Sequence, residues 1–353
     1  MNRRSFFKQT GLGMAAIGLP ASKILAEMPE TKPFGKPHLT KPPRLREGAT
    51  VGLIAPASPI SDEKYQKAVE NLTRLGFVIR EGKSLRARNG HLAGADAERL
   101  ADLHWAFSDP EVEAVWCVRG GYGCTRLLPG VDFGLIRRNA KPFIGYSDVT
   151  ALHLAIGKKA GLVTFHGPVG ASDYTDFTLN HFRRVLMLPS PRHEIALPGE
   201  GDILLGDEYR PEIITAGRAE GRLTGGNLSL LAALVGTPFC PSFRGKIVFI
   251  EEVGEQPYRV DRLLTQLLQG TDLAQAAGLA LGVFADCQPK REEFSLTLSA
   301  TLRDRLGGLG IPVVYGLPFG HISNQATLPY GTWAELDTEK GRLVLVEMGV
   351  GKG

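Results

Sequence analysis

Cysteine is scarce in this 353-residue chain: there are four, Cys117, Cys124, Cys240 and Cys287. They lie far apart, with no CxxC pair and no metal-ligand spacing, which argues against a zinc or iron–sulfur site. They permit three disulfide pairings, and spacing selects none of them. Apolar neighbours such as Val115, Trp116 and Phe284 make them read as buried small hydrophobes, Cys124 excepted. No apolar run approaches the ~20 residues that a membrane-spanning helix needs, so stable insertion into a bilayer is not expected. An excess of one charge is also missing. Residues 1–26 hold Arg3, Arg4, Lys8 and Lys23 and no acid; taking these four from 41 bases leaves 37, against 37 acids. The neutral remainder gives no electrostatic case for nucleic acid.

The first residues are present for another purpose. A basic region, an apolar run from Gly11 to Pro20 and small residues at Ala21 and Ala26 follow in the order of a secretory signal. The RRSFFK core resembles a twin-arginine export signal, so residues 1–26 are expected to be removed and the protein to reach the periplasm. Residues 27–47 carry five prolines without periodicity and read as an extended, mobile tether. About 300 residues remain, more than one core usually fills. Two domains are expected: 48–170, and 219–353 after a connector at 171–218 rich in Pro, Asp and Gly.

The first of these alternates strands and helices. Thr50–Ala55, Phe77–Ile79, Glu113–Val118 and Pro142–Ile144 are short apolar runs; Asp62–Leu75 and Ala97–Phe107 have helical spacing. The pattern predicts an α/β domain with a parallel sheet, whose sites form at the carboxyl ends of strands. Ala55–Ser58, Arg119–Cys124 and Ser147 all fall at such ends. Loop 119–124, RGGYGC, matches neither GxGxxG nor GxxxxGK[ST], so a nucleotide cradle has weak support; an oxyanion donor or a plain glycine turn are the other readings. In KPFIGYSDVTALHLAI (141–156) the serine stands at a strand-to-helix turn. That is the setting of a nucleophile elbow, or of a helix cap shared with Asp148 and Thr150. Cys124 is an alternative nucleophile without an evident acid–base partner.

A serine needs a base, usually histidine, held by a third polar group. His153 falls on a different helix face from Ser147 and reads as structural; His166, at a strand end, could line the site. His321 closes the Gly-rich run GLPFGH, and Glu251 ends the β-prone run KIVFIE, where burial could fix it against an imidazole. Chain order alone does not bring Ser147, Glu251 and His321 together.

VRGGYG, GYSDVTALH, GGNLSLLAALVGTPF, GKIVFIEEVGEQPYRVDRLL and GLPFGH, in this order, resemble the serine LD-carboxypeptidase family, which joins murein tetrapeptide LD-carboxypeptidases and microcin C immunity hydrolases. The resemblance runs from about residue 48 to the C-terminus. It implies a flavodoxin-like N-terminal domain, a β-rich C-terminal domain, and a triad of Ser147, Glu251 and His321 across their interface. It further implies oxyanion donation by the Gly121 and Asp148 N–H groups, a murein peptide as partner, no metal or cofactor, and a homodimer. Alternatives are a microcin C-like amidase of the same family and a catalytically silent murein-binding protein. The best-known members act in the cytoplasm, whereas the resemblance of residues 1–26 to an export signal leads to the expectation that this chain acts in the periplasm.

Overall fold

The computed structural model describes residues 39–198, 209–291 and 294–351. The expected signal, 1–26, and the tether up to residue 38 lie outside the described residues.

The first half runs β1 (Thr50–Ile54), α1 (Asp62–Arg74), β2 (Val78–Glu81), α2 (Asp96–Ser108), β3 (Ala114–Cys117), α3 (Cys124–Leu127), α4 (Phe133–Arg138), β4 (Phe143–Gly145), α5 (Thr150–Ala160) and β5 (Phe165–His166). Every residue of β3 and β4 is buried, as continuous apolar runs covered on both faces require. Helix α1 starts where Ser61 Oγ accepts the Lys64 N–H, with Asp62 and Glu63 in its positive first turn. It buries Ala68 and Leu72. The five strands are parallel in the order β2-β1-β3-β4-β5, the flavodoxin-like arrangement. Strand order reverses between β1 and β3, and the crevice there is the usual ligand position.

The second half adds α6 (Asp176–Phe182), β6 (His193–Ala196), β7 (Glu212–Thr215), β8 (Arg218–Asn227), α7 (Leu228–Ala233), β9 (Ile247–Val253), α8 (Pro257–Gly270), β10 (Gly278–Ala285), α9 (Leu298–Leu306), β11 (Val313–Gly320), β12 (Leu328–Pro329), β13 (Trp333–Asp337) and β14 (Arg342–Leu345). Eight strands form one sheet in the order β6-β14-β13-β8-β9-β10-β11-β7. Its centre, β8 to β11, is parallel, and the flanks are antiparallel. β9, β10 and β11 are buried almost throughout.

Three expectations change. The tether is not free over its last residues: Thr40 exchanges backbone hydrogen bonds with Gly161 and Val163, Leu45 N–H donates to Leu186, and the Leu45 side chain is buried. Prolines favour an extended chain, but they leave the carbonyls and the remaining N–H groups free to pair, and these bonds together with the buried Leu45 dock it. The stretch 171–218 is no structureless connector, since it supplies α6 and both edge strands, β6 and β7, of the large sheet. Edge strands pair on one side only, so their sequences need not be strongly apolar. Finally, β12 comes from the second half yet pairs antiparallel with β5 and completes the first sheet. A two-residue strand leaves no readable period.

Candidate active site

Ser147 sits immediately beyond β4 with φ 65°, one of two non-glycine residues in the left-handed region among those described. Such a conformation costs on the order of 1–3 kcal/mol and persists only where its surroundings impose it. Ser147 makes no cap hydrogen bond to the helix that follows. The capping alternative therefore gives way to the raised, strained turn of a nucleophile elbow.

Loop 119–123 packs directly on this turn. A Cβ on Gly120 would lie 2.8 Å from Ser147 Cβ, and one on Gly121, at φ 122°, would collide with the Ser58 side chain. Ser58 Oγ accepts the Tyr122 N–H (3.0 Å), and the buried Asp148 carboxylate accepts the Cys124 N–H (2.7 Å). Both ties lock the glycine loop to its neighbours. Below it, the buried Arg99 donates to Pro56 O and pairs with Asp96, steadying the loop after β1. Among the described residues the Gly121 and Asp148 N–H groups donate to no acceptor outside their own turns. Asp148 follows Ser147 in the chain, and Gly121 adjoins Gly120, which packs against Ser147; a developing oxyanion needs free N–H donors of this kind.

The two partners come from the other sheet. Glu251 lies within β9 and is fully buried; His321 follows the last residue of β11. His321 Nδ1 stands 2.7 Å from Glu251 Oε2, and Nε2 stands 3.0 Å from Ser147 Oγ. With Nδ1–H donating to the carboxylate, Nε2 is left to accept the serine proton. Burial pushes the Glu251 carboxyl up, but the His321 charge and hydrogen bond, helped by His166 and Asn227, outweigh it and hold it below its ordinary value. Burial likewise lowers His321, and the Glu251 charge and hydrogen bond overcome this and raise it. Each partner thus favours the charged form of the other. Tyr146 packs edge-on against the imidazole at 4.9 Å.

The remaining candidates separate cleanly. His153 is buried in α5, with Nε2 2.9 Å from Gly145 O and its ring stacked on Tyr330, a structural position. His166 is buried at the end of β5 within the field of Glu251 and His321. The Cys124 thiol is buried and pushed well above its ordinary pKa by burial and by Asp148, so it is a poor nucleophile. All four cysteines are free. Sequence reasoning placed the loop Ala55–Ser58 at a site-forming strand end without singling out Ser58, and passed over Asn227, whose side chain caps α7 at Leu230 N and donates to Glu252 Oε1 (2.9 Å). The Asn-Leu-Ser turn opening a helix signals a cap; nothing local signals the carboxylate beyond it.

Comparison with known proteins agrees with the fold. Residues 51–167 match the LD-carboxypeptidase N-terminal domain and residues 220–336 its C-terminal domain. A probable murein peptide carboxypeptidase of Bacillus subtilis is 42% identical, the match covering 89% of this chain and 96% of that protein. The structure of a muramoyltetrapeptide carboxypeptidase from Oxalobacter formigenes is 33% identical with a TM-score of 0.73, covering 85% and 99% of the two chains. That of the protein MccF in complex with glutamyl sulfamoyl guanosine is 26% identical with a TM-score of 0.78, covering 88% and 99%. The chain belongs to the LD-carboxypeptidase family.

Proposed function

We propose that this protein is a serine LD-carboxypeptidase that removes the terminal D-alanine of murein tetrapeptide stems, acting in the periplasm after export. The observation that carries the chemistry is the Ser147–His321–Glu251 array, at 3.0 and 2.7 Å. His321 Nε2 takes the Ser147 proton as Oγ attacks the carbonyl between the L-centre and D-alanine. The Gly121 and Asp148 N–H groups hold the resulting oxyanion. His321 then protonates the departing amine, and the acyl-enzyme forms. A water activated by the same imidazole releases the shortened peptide and restores the serine. Glu251 keeps the imidazole in the needed tautomer throughout. The substrate assignment is supported by the relatives named murein peptide carboxypeptidase and muramoyltetrapeptide carboxypeptidase. The export assignment is supported by the pattern of residues 1–26.

Mass spectrometry of a murein tetrapeptide incubated with the protein, beside Ser147→Ala, tests the reading. Loss of one alanine with wild type alone is the expected result. An intact tetrapeptide with folded wild type would move the assignment to a second reading, an amidase on another acyl-linked substrate. The MccF likeness, TM-score 0.78, favours that reading as the alternative.

A further inference from the structure

Glu251 offers only one carboxylate oxygen to His321. The other, Oε1, is buried and has no hydrogen-bond partner among the described residues. Asn227, paired with Glu251 across β8 and β9, donates its amide to Glu252 Oε1 at 2.9 Å, and its weaker pull on Glu251 leaves Oε1 without a bond of its own. A second unpartnered group approaches from the opposite sheet. His166 is fully buried, and neither Nδ1 nor Nε2 has a partner among the described residues. Its ring is boxed by Phe249 at 5.3 Å, Tyr146 at 5.8 Å and Phe319 at 6.4 Å. Phe249 stands two positions before Glu251 on β9, so both side chains leave the same face of the strand. Phe319 likewise precedes His321 by two. The imidazole therefore lies beneath the triad, behind the acid.

Nothing about packing requires an imidazole there, since a box of three aromatic rings would accept an apolar side chain. Burial pushes the His166 pKa down to about 4, which leaves a neutral ring with one N–H donor and one lone pair. One more buried hydroxyl without a partner among the described residues borders the same region: Thr327 Oγ1, which packs on Gly167. The Tyr330 ring lies 5.1 Å from Phe249, within the field of Glu251, with its hydroxyl turned toward Thr150. Clusters of buried polar groups of this kind are ordinarily satisfied by internal water making two to four hydrogen bonds.

We infer that His166 is a positioning residue of the reaction: through an internal water shared with Glu251 Oε1, it fixes the carboxylate from behind, so that Oε2 stays on His321 Nδ1 and Nε2 stays on Ser147. It touches neither substrate nor reacting atoms, and acts only through Glu251. The inference rests on the acyl-enzyme reading above.

The test compares wild type, His166→Phe and His166→Gln by the rate at which a fluorophosphonate labels Ser147, by kcat and KM on tetrapeptide, and by melting temperature. His166→Phe is expected to stay folded and to label and turn over about ten- to hundredfold more slowly with KM unchanged, the usual loss when a partner behind a catalytic ligand is removed. His166→Gln, whose amide can both donate and accept, should recover part of that rate. A folded His166→Phe labelled as fast as wild type, or a His166→Gln no better than His166→Phe, would overturn the inference while leaving the triad standing. Wild type that is not labelled at all would overturn the triad reading, and this inference with it. Should neither variant fold, a high-resolution crystal structure of wild type decides. Water within hydrogen-bond distance of both Glu251 Oε1 and a His166 nitrogen is expected, and its absence would sink the idea.

Discussion

His321 Nε2 lies 3.0 Å from Ser147 Oγ across a separation of 174 positions in the chain. Ser147 lies in the turn after a strand of the flavodoxin-like sheet, and His321 follows a strand of the large mixed sheet. Several measurable properties depend on that meeting.

Ser147→Ala and His321→Ala should each abolish turnover while leaving the far-ultraviolet spectrum unchanged. Ser147→Gly should also be inactive but more stable than Ser147→Ala by about 1 kcal/mol, because φ 65° is unstrained only for glycine. Thermal melts of the two variants check it; equal stability would mean that the turn carries no strain.

The pH dependence follows from the His321–Glu251 pair. Burial lowers His321, but Glu251 raises it above its ordinary value of 6.5 overall. The base must be neutral to act, so kcat/KM should fall on acidification with a midpoint above 6.5. Stability runs the other way. A raised histidine contributes fully below its unfolded pKa, and that contribution fades as pH climbs through the raised value. Glu251, held below 4.5, contributes above that pH and loses its share as pH falls through the lowered value. Glu251→Gln should move the acid limb of kcat/KM to lower pH and cut kcat by about 10⁴-fold. A limb that stays put in a pH–rate profile would contradict the pairing.

Gly121→Ala tests the oxyanion donors. Its Cβ would meet Ser58 and its φ of 122° is hostile to alanine, so the N–H should swing away. A loss of about 10²–10³ in kcat with little change in KM is expected from steady-state kinetics.

Cys124→Ala should retain kcat, and wild type should resist alkylating reagents, because the thiol is buried and its pKa is pushed well up. Stoichiometric inactivation by iodoacetamide would return Cys124 to the list of nucleophiles.

A chain beginning at Gly48 should be less stable than one beginning at Leu39. It loses the backbone hydrogen bonds of Thr40 and Leu45 and the burial of Leu45, the last alone on the order of 2 kcal/mol. Urea unfolding of the two forms gives the comparison.

The strands of the first sheet and the loops at their carboxyl ends were legible because continuous apolar runs and glycine turns are local signals. Ser147, Glu251 and His321 could be nominated for the same reason: each stands at or close to the carboxyl end of a strand-forming apolar run. Their convergence could not be read, since spacing within the chain carries no information about which strand ends meet. The resemblance to known motifs supplied that link, and the distances around His321 give it a geometry. The misread parts share a cause. Strands β6, β7 and β12 are two to four residues long and sit at sheet edges, where pairing with a distant strand, and not local pattern, creates the element. His166 could be placed at the site from its strand end, but its unpartnered nitrogens are a property of the enclosure alone.

Leu328 and Pro329 pair with His166 and Phe165 to finish a sheet begun near residue 50. During synthesis the early sheet must therefore wait for almost the last of the chain before its edge is covered. Cutting the gene between the halves would leave one piece with an open edge and the other with an orphaned strand. Neither fragment would inherit a reduced version of the activity, and only co-expression could restore it.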